Sequence, residues 1–459
     1  WELIPESTDT ITGEVTPAYY VLRDAPGYTV PAIRQVVLDS NGDPELDDQG
    51  NQVTEVVLPS YVVGLDQKGG SGLIAQSIGG GGGTGGMNVS GSISAGFGDD
   101  ASGYGIVVGV GGFGGAGGDA GEVDVDVVSE DIVATGNGRS GVLAQSIGGG
   151  GGDGGTNVSG SISTDAPLLV GVGGFGADAG KGKAVTVKAV ADIDVLGLGA
   201  LAGANDDLAD SDDKLNGDER RPDLMSAGVM AQSIGGGGGN GGLNVSGALV
   251  TSKSQGVPAI NVGIGGYGGD GATSDDVTVD HEGSINIAGE YAHGVLAQSI
   301  GGGGGNGATN VSGQVSKASG TEGEAGGNSD ISIVVGVGGS GGEAAKSGDV
   351  TVTQFGQVTT KGDNSRGIFA QSISDGGGFG GLNVSALVGT KTSPVIVGVG
   401  GSGGDGASAG NVAVFRGDST SDAGAIVTDG EAAHGIEAST VSGGGGDAGA
   451  NIAFSAVQA

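Results

Sequence analysis

The segment Gly141-Val142-Leu143-Ala144-Gln145-Ser146-Ile147, followed by the five glycines 148–152, decides the fold of this chain because it recurs. The same wording surrounds Gln76, Gln232 and Gln298; an altered copy surrounds Gln371, where Ser374 and Asp375 interrupt the glycines. A worn copy at Gly435–Val441 closes the series, and the copies lie 69, 87, 66, 73 and 68 residues apart by subtraction. A rough internal period of this kind marks a solenoid, in which each repeat stacks on its neighbours.

Each unit carries more than that phrase. After the glycines comes Asn-Val-Ser at Asn88, Asn157, Asn244, Asn310 and Asn383, with a degenerate copy at Asn451. An aliphatic stretch ending in glycines follows, such as Ile106–Gly112, then an alternating one, such as Val350-Thr351-Val352-Thr353. These pieces are short, β-branched and bounded by Gly, Asn or Asp, the signature of strands and turns rather than helices. The expected fold is all-β, a repetitive parallel β-helix or β-solenoid with Gly-rich turns over residues 66–459 and a non-repetitive N-terminal cap over 1–65. About five strands per unit predicts two to three turns of β-helix in each, hence a rod on the order of 80 Å long at about 4.8 Å per rung. Within the cap, Gln35–Leu38 and Val53–Leu58 flank Asn41-Gly42 as a hairpin. The surplus of the long third unit, 205–223, reads as an acidic surface loop. The glycine runs keep their length in four successive copies, which favours ordered packing over a flexible linker.

Composition excludes several alternatives. Gly accounts for 110 of 459 residues and Pro for only 10, without the strict triplet period of collagen. Aromatic residues make up 3%, and the formal net charge is −36, which repels nucleic acid and anionic lipid. Cys is absent, so no disulfide framework operates. The chain opens at Trp1 without a visible signal peptide, which reads as a processed or truncated product.

The Gly-(Val/Ile)-x-Ala-Gln-Ser-Ile-Gly-Gly-Gly-Gly-Gly phrase, with the Gly-Gly-x-Asn-Val-Ser that follows, resembles repeats in the passenger regions of Gram-negative autotransporter-like surface proteins. That resemblance implies a right-handed parallel β-helix exported through an outer-membrane barrel, at the cell surface or outside it, for adhesion or biofilm matrix. A membrane would be reached only through an anchor or barrel outside this sequence.

Candidate chemistry is sparse. Gly173–Asp178, Gly265–Asp270 and Gly400–Asp405 match the opening of a calcium-binding Gly-Gly-x-Gly-x-Asp nonapeptide, which makes Asp178, Asp270 and Asp405 candidate calcium ligands; Gly338–Glu343 carries Glu instead. Such sites need tandem copies, so plain turns are the rival reading. The Asn-Val-Ser triplets satisfy the glycosylation sequon, but their fixed place in the repeat favours turns or stacked amide ladders. His281, His293 and His434 are the only imidazoles. His293 and His434 share a repeat position filled elsewhere by Ser, Ala or Arg, the freedom of an exposed turn rather than of a general base. No catalytic grammar stands out, and no cofactor other than calcium is indicated. The expected role is structural or adhesive, with the blunt C-terminal end suggesting head-to-tail association of copies. The alternative is a calcium-responsive or carbohydrate-binding adhesin module.

Overall fold

A computed structural model describes residues 70–96, 104–135, 138–164, 166–196, 225–252, 258–318, 330–417 and 424–458 and, for backbone only, eight short strands between Glu2 and Gly64. The acidic stretch 205–223 and the Asn41-Gly42 tip lie outside the described residues. In the N-terminal segment, Ile33–Val36 pairs antiparallel with Thr54–Leu58, with Gln35 opposite Glu55. A separate sheet orders Glu2–Ile4, Tyr19–Val21, Tyr61–Gly64 and Gly27–Val30.

From Gly70 onward every strand pairs in parallel with its counterpart in the next repeat. Gln76 lies opposite Gln145, and Asn88 opposite Asn157. One repeat is therefore one turn, not two or three. The stack of six rungs rises only about 24 Å from first strand to last, and the expected 80 Å rod is corrected to a short, wide stack of parallel strands. The reason is that the glycine runs are not turns. They are straight segments that lengthen the circuit of each rung.

Four sheets result. The Gln sheet has six strands, from Leu73–Ile78 to Ile436–Val441, and the Asn sheet six, from Asn88–Ser94 to Asn451–Gln458. The aliphatic sheet has five, from Ile106–Val110 to Thr392–Val399; the Val sheet begins with Val123–Thr135 and Val185–Leu196 and then splits into paired short strands. Along a rung the chain runs out through the Gln strand, a glycine segment and the Asn strand. It returns through the aliphatic strand, a second glycine segment and the Val strand. From Ser140 to Ser163 the outward leg spans about 75 Å at strand and polyproline II rises.

The two glycine segments of a rung lie antiparallel and bond to each other directly. Gly112, Gly115 and Gly118 donate to the carbonyls of Gly86, Gly83 and Gly80 at 2.7–2.9 Å, and receive bonds at their own carbonyls from Gly155, Gly152 and Gly149 of the next rung at 2.7–3.0 Å. Gly79, Gly82 and Gly85 donate instead along the axis, to Ile147, Gly150 and Asp153 at 2.7–2.8 Å. The pattern repeats every three residues, the period of a polyproline II helix, so each segment reads as Gly-Gly-X triplets. The first place bonds along the axis, the second bonds across to the other segment, and the third faces outward.

This explains why the first two places are glycine. None of these glycines has a positive φ, so space and not handedness is what they supply. A Cβ on Gly82 would lie 1.8 Å from the Gly115 carbonyl oxygen, and one on Gly152 would lie 2.1 Å from that of Gly83. On the outward Gly150 the nearest atom would be 3.6 Å away. Ala177, Ala272, Ala308 and Ala345 stand at second places and keep their bonds at 2.9–3.0 Å, so a single methyl is absorbed.

On either side of the glycine layer the two legs form narrow sandwiches. The larger core joins the Gln and Val sheets through residues such as Val142, Ala144, Val187, Ile193, Val229 and Val295, all Val, Ala or Ile. Beside a layer where the backbones touch, small side chains are what fit, and the low aromatic content follows. Substituting Gly152 with Val is expected to destabilise the protein by about 3 kcal/mol or more, and Gly150→Val by less than about 0.5 kcal/mol; urea denaturation of the two variants checks this.

Candidate functional site: the axial ladders

The strongest internal feature lies between the Asn and aliphatic sheets. Asn88 Nδ2 donates to Asn157 Oδ1 at 2.7 Å, and Asn157 likewise to Asn244 at 2.7 Å. The series continues through Asn310 and Asn383 to Asn451 at 2.6–2.7 Å. The second amide hydrogen goes to the Ser two residues on, from Asn157 to Ser159 at 3.0 Å and from Asn383 to Ser385 at 3.1 Å. Asn157, Asn244, Asn310 and Asn383 are fully buried. The Asn-Val-Ser triplet is thus a self-satisfying unit, as buried polar groups require, and its amide nitrogen is not presented to a glycosylating enzyme.

Room for this ladder comes from the opposite leg. A Cβ on Gly171 would lie 2.6 Å from Asn244 Oδ1, and one on Gly336 would lie 2.3 Å from Asn383 Oδ1. The glycine that breaks each aliphatic strand is therefore the recess for an amide. Sequence reasoning missed this, although the fixed Val-Gly-Val wording at Gly109, Gly336 and Gly398 carried the signal.

The Ala-Gln-Ser-Ile phrase resolves in the same way. Ala144 enters the core, while Gln145 faces out and bonds to Gln76 and Gln232. Gln232 reaches Gln298 at 2.6 Å, Gln298 reaches Gln371 at 2.9 Å, and Gln371 ends on Ser439. The Ser turns inward and ties the two legs together: Ser146 Oγ donates to the Gly121 carbonyl at 2.9 Å and accepts from the Lys183 N–H at 2.8 Å.

The acidic candidates occupy third places of the glycine triplets. Asp178 Oδ1 accepts the backbone N–H of Asp270 at 2.9 Å, and Asp270 Oδ1 accepts that of Glu343 at 2.8 Å. Asp153, Asn240 and Asn306 do the same on the other leg, capping Asn240, Asn306 and Phe379. An outward N–H that the glycine network leaves over is met by an oxygen from the rung below. Asp178, Asp270 and Asp405 thus lie in extended triplets, which corrects their reading as turns. They share one outward row with Glu343, and Asp405 is exposed. Among the described residues, no group of three or more His, Asp or Glu is placed to hold a metal. On the neighbouring third place, Phe113, Phe175 and Tyr267 stack with centroids 5.2 Å apart.

Two histidines are buried. His281 lies within the Val sheet, with Nδ1 2.8 Å from Gln354 Oε1 and Nε2 3.0 Å from the Ala191 carbonyl. A neutral ring can donate to only one of these acceptors, and burial outweighs both bonds in holding its pKa below the ordinary value. His293 is 1% exposed, which corrects its reading as an exposed turn; His434, at the same place in the repeat, is exposed. His293 accepts the Arg366 N–H at Nδ1, 3.2 Å away, and its ring meets Phe369 at 5.3 Å. The Arg366 guanidinium lies 4.3 Å from the centre of the same Phe369 ring and pairs with Glu437. Burial, reinforced by the Arg366 charge, lowers the His293 pKa to about 4.

Two outcomes follow. Asn244→Ala strands a buried donor on Asn157 and a buried acceptor on Asn310, so it is expected to cost about 2–4 kcal/mol, against less than about 1 kcal/mol for the exposed Asn306→Ala; chemical denaturation measures both. His293 is neutral when folded but protonates in the unfolded chain below about pH 6.5. Its contribution is therefore present above that pH and is lost as pH falls toward 4, by up to about 3 kcal/mol. His293→Gln should melt with a correspondingly shallower pH dependence than the parent across that window. Against known proteins, no family model, no curated protein and no solved structure matches this chain.

Proposed function

We propose that this chain is a structural or adhesive element of a Gram-negative cell surface, a rigid β-solenoid that acts as a spacer or scaffold and carries no catalytic site. The observation that carries this reading is the Asn ladder, which runs through all six rungs without a break and joins them into one body. The repeated investment is in rung-to-rung bonding, and both buried imidazoles are taken up by structural contacts. The acidic surface keeps such a body soluble and away from nucleic acid. Every rung offers the next the same wording, so copies stacked along the axis would meet matching donors and acceptors. A homopolymer, or a host or matrix surface, is the partner this reading names.

Immunogold labelling of intact producing cells, imaged by electron microscopy, tests the reading. Label on unbroken cells or shed material is expected, and label only after lysis overturns it. Filaments with a regular axial repeat built on the rung spacing of about 4.8 Å would mark end-on stacking. Separate particles would instead assign the work to the sides of the solenoid.

The outward carboxylate row of Asp178, Asp270, Glu343 and Asp405 favours a second reading, a calcium-responsive adhesin. One oxygen of Asp178 and of Asp270 caps the next rung, and the other is left for a cation. Under this reading the melting temperature rises in millimolar calcium, the range of extracellular modules; an unchanged melt removes it.

A further inference from the structure

The glycine triplets explain most of the glycine in this chain by steric need, but one row has no such need. Gly91, Gly160, Gly247 and Gly313 occupy the middle outward position of the Asn sheet. A Cβ there would meet nothing within 4 Å at Gly247 and Gly313, and only ordinary contacts at 3.8 Å and 4.0 Å at Gly91 and Gly160. None of them has a positive φ. Glycine inside a strand weakens it, and where the fold itself does not require it, it marks a site where something else approaches closely.

The surroundings say what approaches. The row forms the floor of an open groove of about 750 Å³ along the solenoid axis, walled on one side by the ridge of Ile93, Ile162, Leu249 and Val315. Those ridge side chains are 44–81% exposed. On all six strands the first three outward positions of this face are apolar, in a chain with 53 acidic residues, and a fourth position on the longer strands carries Thr251, Lys317, Thr390 or Gln458 at the rim. The inward positions of the first two strands carry only Asn and Ser, while Ala248, Val250 and Leu387 join them in later strands, so the inner face is mixed and the outer one apolar.

We propose that this face is a homodimer interface, in which the ridge of each copy fills the glycine trough of the other. The sizes along the two rows support self-recognition. Where the trough has Gly, in the first four rungs, the ridge has Ile, Ile, Leu and Val; in the fifth they are Ala386 and Val388. In the sixth the order inverts, with Phe454 in the trough and Ala456 on the ridge. A two-fold axis parallel to the solenoid axis sets trough against ridge at every level and matches large with small on each rung. This is the isologous, closed arrangement of a two-fold dimer. The face measures about 650 Å² from strand rise and spacing, so the pair buries about 1,300 Å², within the range of stable specific interfaces. A lipid surface fits the apolar face less well, because nothing in a bilayer matches the rung-by-rung alternation and the chain's net charge is repelled by anionic headgroups.

Sedimentation velocity of the intact chain at micromolar concentration tests this, in 0.15 M and 0.5 M NaCl. A species with the mass of two chains is expected, favoured at the higher salt because screening relieves the repulsion between two acidic copies. Gly247→Leu with Gly313→Leu fills the trough without touching the fold, and is expected to weaken association at least tenfold while leaving the far-UV circular dichroism spectrum unchanged. Ile162→Asp with Val315→Asp, which alters the ridge alone, is expected to do the same. A parent protein that remains monomeric at both salts overturns the proposal, as does a trough-filled variant that dimerises like the parent. Binding of the monomer to neutral phosphatidylcholine vesicles would overturn it in favour of a lipid. A monomeric result would leave the surface-scaffold reading where it stands.

Discussion

The fold depends on the direct contact of two backbones. At the centre of every rung the outgoing and returning glycine segments hydrogen-bond to each other with no side chain between them. Each second-place residue makes two bonds to the opposite leg, one within its own rung and one to a neighbouring rung, so the bonds climb the axis in a zigzag. Gly80 is joined to Gly118, Gly118 to Gly149, and Gly149 to Gly180. Such a contact selects Gly or Ala at two places in three, with Ser374, Asp375 and Ser442 departing from it only at the first triplet of the last two rungs, and that shapes the composition. It also fixes the scale of what lies beside it. The flanking sandwiches open from a line where the chains touch, and they are filled with Val, Ala, Ile and Ser in place of the aromatic residues that dominate ordinary cores.

The two sandwiches solve the narrow gap in different ways. Between the Gln and Val sheets the filling is aliphatic, and its stabilisation comes from removing apolar surface from water. Between the Asn and aliphatic sheets polar and apolar groups mix, with a buried amide and at least one buried serine on each of the four middle rungs facing a glycine recess beside Leu169, Val250 and Leu387. That second interior holds only because every amide finds its partner one rung above or below, which makes neighbouring repeats interdependent. A single rung could satisfy neither its glycine segments nor its Asn. Stability in this architecture therefore resides in the interfaces between repeats more than within any one of them.

Much of this was legible in the sequence, and the reasons for the rest are specific. The repeat around Gln145 pointed to parallel stacking, and the fixed place of Asn157 and its counterparts left turns and a stacked ladder as the two readings, of which the ladder is found. The number of turns per repeat was not legible, because a run such as 148–152 looks like a bend when glycine is considered only for its freedom of φ. Its straightness shows in the third-place residues, Asp153 and Thr156 after Gly150, and a three-residue period is easily lost among so many glycines. Asp178 and Asp270 look like ion ligands in one dimension. In three dimensions one oxygen of each carboxylate answers a backbone N–H of the following repeat, 92 residues away for Asp178 and 73 for Asp270. The burial of His293 was hidden because its counterpart positions carry Ser, Ala and Arg, and nothing local tells which of them is covered.

The ladders also have a direction. Each Asn amide in the series gives its hydrogen upward and receives from below, and the Gln amides point the same way. The first-place N–H groups of the glycine triplets, from Gly79 to Ile147 and from Gly111 to Val172, follow suit. Dipoles aligned head to tail add along an axis, as the peptide units do in an α-helix, and aligned chains of hydrogen bonds polarise one another. Each ladder is thus polar, positive toward its higher rungs, while the second-place N–H groups of the outgoing leg, such as that of Gly149, give to the rung below. The carboxylates of Asp178 and Asp270 reverse that sense on the surface, since they receive hydrogens from the rung above. Reversing one amide would set like ends against each other both above and below it, so the ladder holds its polarity as a unit.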